Sequence, residues 1–71
     1  MSEIIPLLMT AKELAASLQI GQRTLWRMDA SGMLPRSVKL PGRLRRWRRD
    51  EIIEWIEADC PSRKEWEQIR R

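Results

Sequence analysis

The sequence predicts a mainly α-helical domain with a small two-stranded β-hairpin, and three observations predict it. Two stretches of helical periodicity open on capping boxes, Thr10-Ala11-Lys12-Glu13 and Ser62-Arg63-Lys64-Glu65. A Pro41-Gly42-Arg43 turn separates two short runs, Val38-Lys39-Leu40 and Leu44-Arg45-Arg46-Trp47. With 71 residues there is room for one domain and one small core. A chain of this size buries only about 60% of the surface its unfolded form exposes.

The first helix runs from 11 to 18. Thr10 accepts from the amide of residue 13 while Glu13 reaches back to the amide of Thr10, and Met9 and Leu14 are spaced for a hydrophobic staple. Leu14, Ala15 and Leu18 form its apolar stripe. Gln19-Ile20-Gly21 is a short turn with Ile20 pointing inward. The second helix covers Gln22 to Ser31, with Leu25 and Met28 buried; Gly32 supplies the left-handed cap and Pro35 prevents resumption. In the hairpin Val38 and Leu40 share a face. Leu44 and Trp47 differ in parity, which predicts a bulge or a strand ending before Trp47. Asp50 is expected to cap a third helix, with Glu51 in its first turn, an apolar face of Ile52, Ile53, Trp55 and Ile56, and Pro61 as its stop. The second capping box then starts a short helix with Trp66 and Ile69 on one side. Residues 1–60 are thus expected to form the principal unit and 61–71 a short C-terminal helix.

Charge is concentrated in the middle of the chain. Of 14 Lys and Arg against 10 Asp and Glu, nine cations fall in residues 22–49, where Asp29 is the lone acid, giving that block +8. Such a block suits a polyanionic partner, because a solvated surface ordinarily mixes both signs. There is no histidine and a single cysteine, Cys60, which rules out His-based triads, an internal disulfide and the usual zinc patterns. No Gly-rich phosphate loop and no nucleophile–base pair is present, so neither an enzyme nor a cofactor is expected, and Glu51, Glu54 and Glu57 read as a solvated helix face. The longest apolar run, Ile4 to Met9, contains Pro6. No membrane span or signal peptide is expected, and the composition suits a cytoplasmic protein.

Helix, short turn, helix, basic ribbon and packing helix together describe a winged helix-turn-helix. The ordered pieces Leu8-Met9-Thr10-Ala11-Lys12-Glu13-Leu14-Ala15, Arg23-Thr24-Leu25-Trp26-Arg27, Gly32 with Leu34-Pro35, Arg45-Arg46-Trp47 and Ile52-Ile53-Glu54-Trp55-Ile56 make the chain resemble the AlpA-type prophage regulators and excisionases. These are small MerR-like winged helix-turn-helix proteins. The resemblance covers about residues 7–57. It implies specific binding to double-stranded DNA, either to activate phage genes or to direct integrase towards excision. It also implies further copies on adjacent sites, and integrase or another DNA-bound protein, as companions. The family usually has glycine where Gln19 stands and serine or threonine where Gly21 stands.

Arginine suits such a task, because its planar fork matches guanine O6 and N7 as well as paired phosphate oxygens. Arg23 and Arg27, four apart, share a helical face, with Gln22 and Thr24 at the end that enters the major groove first. Gln22, Arg23 and Arg27 are expected at or near base edges, with phosphate-only contact the alternative for either arginine, and Thr24 on phosphate or a thymine methyl. On the hairpin, Lys39, Arg43, Arg45 and Arg46 are expected on backbone or in the minor groove, and Arg48 with Arg49 is placed to clamp a phosphate or to stay solvated. Trp47 and Trp55 are assigned to the core, and Trp26 to the core in preference to sugar–phosphate packing. Trp66 and Ile69 must bury against this domain or a neighbour, and docking on this domain is favoured. The rival functions are a small protein-interaction module or adaptor for an acidic partner, and single-stranded or RNA binding.

Overall fold

The computed structural model describes residues 5–70. In chain order the elements are β1 (Leu8–Met9), α1 (Ala11–Leu18), α2 (Gln22–Ala30), β2 (Val38–Leu40), β3 (Leu44–Arg48), α3 (Arg49–Glu57) and α4 (Arg63–Ile69). This is a winged helix-turn-helix, with a fourth helix following its packing helix.

The expected hairpin is part of a three-stranded antiparallel sheet ordered β1-β3-β2. Leu8 and Met9, of which the sequence pattern assigns Met9 only a staple role with Leu14, pair with Arg48 and Trp47. This pairing also resolves the parity problem. β2 partners the first part of β3, from Leu44 to Arg46, and β1 takes the opposite edge where β2 runs out. β3 therefore continues straight through Trp47 without a bulge. Arg45 and Trp47 share the inner face by alternation, and Leu44, on the other face, remains exposed.

The capping box of α1 forms as expected: Thr10 Oγ1 accepts from the Glu13 amide at 3.1 Å, and Glu13 Oε1 accepts from the Thr10 amide at 2.9 Å. α1 closes with Gln19 in the left-handed region (φ 58°), while the Ile20 amide donates to the Ala15 carbonyl at 2.9 Å. A side chain in that conformation costs about 1–2 kcal/mol, which the two amide bonds and the partly buried Ile20 offset. Gly21 caps α2 through backbone alone. At the far end of α2, Gly32 (φ 74°) permits the Met33 amide to bond the Met28 carbonyl at 2.8 Å, and the chain turns sharply into buried Leu34 and Pro35.

The start of α3 differs from expectation. Arg48, not Asp50, occupies the N-cap, because β3 runs without a loop into the helix; Asp50 and Glu51 lie in the first turn. Of the four expected apolar residues on α3, Ile52 and Trp55 are buried, whereas Ile53 and Ile56 are exposed.

The core comprises Leu14, Ala15, Leu25, Leu34, Trp47, Ile52, Trp55 and Trp66. Each of its three indoles has an acceptor for its N–H: the Pro35 carbonyl for Trp47 (3.1 Å), the Pro61 carbonyl for Trp55 (2.8 Å) and Glu51 Oε2 for Trp66 (2.9 Å). Trp66 enters this core from α4, which opens on its own capping box at Ser62 and Glu65. The Arg63 amide donates to the Gly32 carbonyl at 2.9 Å, tying α4 to the turn that ends α2.

Candidate nucleic-acid interface

α2 presents Gln22, Arg23, Thr24, Trp26 and Arg27 to solvent, with Leu25 as its buried anchor. The hairpin presents Lys39 beside Arg45 across the β2–β3 ladder, with Arg43 at the tip. Gly42 and Arg43 both take left-handed backbone there (φ 84° and 63°), which turns the chain tightly enough to leave Arg43 exposed at the apex.

Ion pairing sorts the basic block into two groups. Among the described residues, Arg23, Arg27, Lys39, Arg43 and Arg46 make no ion pair. Arg46 donates only to the neighbouring Arg45 carbonyl, at 2.8 Å. The other four cations of the block are paired. Arg36 lies 3.1 Å from Glu67, Arg48 3.7 Å from Glu51, Arg49 3.6 Å from Asp50 and Arg45 2.7 Å from Asp29. The Arg48–Arg49 pair expected at a phosphate thus reaches carboxylates of its own helix, and the Arg48 side chain stays largely exposed.

Arg45 is the most heavily engaged of these cations. Its Nη2 donates to Asp29 Oδ2 at 2.7 Å and its Nε to Ser37 Oγ at 2.9 Å. The guanidinium carbon lies 5.2 Å from the Trp26 ring centre and 5.7 Å from that of Trp47. Those two rings are 5.8 Å apart and tilted by 57°. Arg45 therefore braces the hairpin against α2. The same carboxylate serves a second arginine: Asp29 Oδ1 accepts from Arg63 Nη2 at 3.0 Å, and Arg63 Nε donates to the Leu34 carbonyl at 2.9 Å. With its side chain only 10% exposed, Asp29 joins α2, β3 and α4 at one point.

A second carboxylate does similar work further along α4. Glu51, read from sequence as part of a solvated face, is 7% exposed. Its Oε2 accepts from Trp66 Nε1 at 2.9 Å and from Arg70 Nη1 at 2.6 Å. Neither hub is visible from helix spacing. The one signal for Asp29 was its position as the lone acid among nine cations; for Glu51 there was none.

Trp26 also departs from its core assignment, being 40% exposed. Among the described residues no helix is long and apolar enough to cross a membrane. Residues 8–60 match a family described as a helix-turn-helix domain. No curated protein and no solved structure matches the chain.

Proposed function

Because this chain belongs to the helix-turn-helix domain family, which includes small excisionase- and AlpA-like DNA-binding proteins, we propose that it is a sequence-specific binder of double-stranded DNA regulating a phage or mobile element. α2 enters the major groove, and the hairpin lies along the backbone or in the neighbouring minor groove. Gln22, Arg23 and Arg27 meet base edges, Thr24 a phosphate or a thymine methyl, and Lys39, Arg43 and Arg46 phosphates. Arg45 serves as a brace, with its guanidinium already committed to Asp29 and Ser37, and Arg48 is a peripheral backbone contact.

One observation carries this reading. Arg23 and Arg27 on α2 and Lys39 and Arg43 on the hairpin are exposed and, like half-buried Arg46, unpaired among the described residues, whereas Arg36, Arg45, Arg48 and Arg49 are each paired with a carboxylate. Unpaired arginines on one surface repel one another, and a phosphate backbone relieves that repulsion while releasing its counterions.

Two substitutions separate the proposed roles. Arg27→Ala is expected to cost about 1–3 kcal/mol of binding and to relax preference at one base position. Arg43→Ala is expected to weaken all sequences alike and to make the salt dependence shallower by about one unit. Binding titrations on specific and random duplexes test both, and identical behaviour of the two variants contradicts the division of roles. A footprint on the protein's own genomic neighbourhood distinguishes the two regulatory roles. Protection over a promoter indicates transcriptional activation, and protection over an attachment site beside integrase, with further copies on adjacent sites, indicates excision.

A further inference from the structure

Of the four tryptophans, Trp26 alone is neither buried nor hydrogen-bonded. Trp47, Trp55 and Trp66 are 0–3% exposed and each donates its indole N–H to a protein acceptor. Trp26 is 40% exposed, and among the described residues its N–H has no protein acceptor. It is nevertheless held in place. Trp47 packs against it at 5.8 Å, and the Arg45 guanidinium, itself fixed by Asp29 and Ser37, lies over its ring at 5.2 Å. A large, positioned aromatic with a free donor is suited to a contact that is apolar at one edge and polar at the other.

Its neighbours identify the ligand. On α2, Trp26 follows Gln22 by four residues and Arg23 by three, so all three side chains lie along one side of the helix. On its other side stands the hairpin, through Arg45. The ring therefore lies between the unpaired cations of α2 and those of the hairpin, where a sugar–phosphate chain passing from one to the other is met. Arg45, the cation over the ring, already has a carboxylate partner at 2.7 Å, so at the hairpin side of the ring the indole N–H adds an uncommitted donor to those of Gln22 and Arg23. Resting on the duplex-DNA reading above, we propose that Trp26 is a backbone-contact residue, its N–H donating to a phosphate oxygen and its exposed ring edge packing on the adjoining deoxyribose.

Two measurements on the full chain test this. In acrylamide quenching of the wild-type protein, Trp26 supplies the accessible emission, and adding duplex DNA is expected to reduce that quenching to the level of Trp26→Phe. Trp26→Phe keeps a ring for Arg45 and removes only the donor and part of the surface. It is expected to lower affinity about tenfold on specific and random duplexes alike, as for loss of a hydrogen bond to a charged group. The slope of binding against salt stays unchanged, since a neutral donor displaces no cation. A wild-type complex in which Trp26 remains quenchable overturns the proposal, as does a Trp26→Phe protein that binds like wild type. A salt slope that falls in Trp26→Phe also overturns it, because a ring acting only by placing Arg45 gives that result. Wild-type protein that binds no duplex at all removes the DNA reading itself.

Discussion

Trp66→Ala is expected to destabilise the domain by about 3–5 kcal/mol, the range for truncating a buried aromatic. The indole is part of the core cluster, donates to Glu51 of α3 and is 3% exposed. Its removal also takes one of the donors from buried Glu51, leaving that carboxylate to Arg70 at 2.6 Å and Arg48 at 3.7 Å. A domain of 71 residues has a total stability of about 4–11 kcal/mol at typical per-residue values. At least about a quarter of that reserve goes with one side chain. A thermal melt by circular dichroism reads the loss, and each kcal/mol moves the midpoint by about 4–8 °C in a domain this small. A loss below about 1 kcal/mol contradicts the placement of α4 in the core and favours its burial against a neighbouring molecule.

Asp29→Ala removes the point at which three elements meet. The carboxylate is nearly buried, but its partners Arg45 and Arg63 have side chains 35% and 24% exposed, so water can solvate the released guanidiniums. The expected cost is therefore about 2 kcal/mol, below the 3–5 kcal/mol of a fully buried pair. Binding is expected to suffer as well, since the hairpin loses its brace against α2, and discrimination between specific and random duplex falls with it. A double-mutant cycle with Arg45→Ala isolates the contact, with a coupling of about 1 kcal/mol or more expected. Additive losses contradict the bracing role.

What the chain revealed in advance was what local chemistry determines. Capping boxes act within four residues, so the starts of α1 and α4 were readable from Thr10, Glu13, Ser62 and Glu65. The left-handed Gly32 was readable for the same reason. β1 was not, because two residues carry no periodicity and Leu8 and Met9 become a strand only through a partner some 40 positions away. The same missing partner made Trp47 look out of register. Asp50 lost the cap because β3 feeds α3 directly, a matter of tertiary path. On the surface, composition located the basic block, but it could not sort the block. Arg48 and Arg49 pair locally with Glu51 and Asp50, but Arg36 and Arg45 find their carboxylates on Glu67 and Asp29, 31 and 16 residues away. Trp26 was misread because a tryptophan in so small a domain is ordinarily core; its exposure follows from Arg45 and Trp47 filling the space beneath it.

The most direct test of the central claim is the salt dependence of duplex binding. Five cations, Arg23, Arg27, Lys39, Arg43 and Arg46, stand on the proposed surface without an ion pair among the described residues. If about 4–6 phosphates are engaged per protomer, log K against log salt has a slope between about −3.6 and −5.4. Between about 50 and 200 mM salt this amounts to a loss of roughly 10²–10³ in affinity. Fluorescence anisotropy of a labelled duplex, titrated with the protein at several salt concentrations, gives the slope. A value in that range is the result predicted here, and a slope near zero contradicts it.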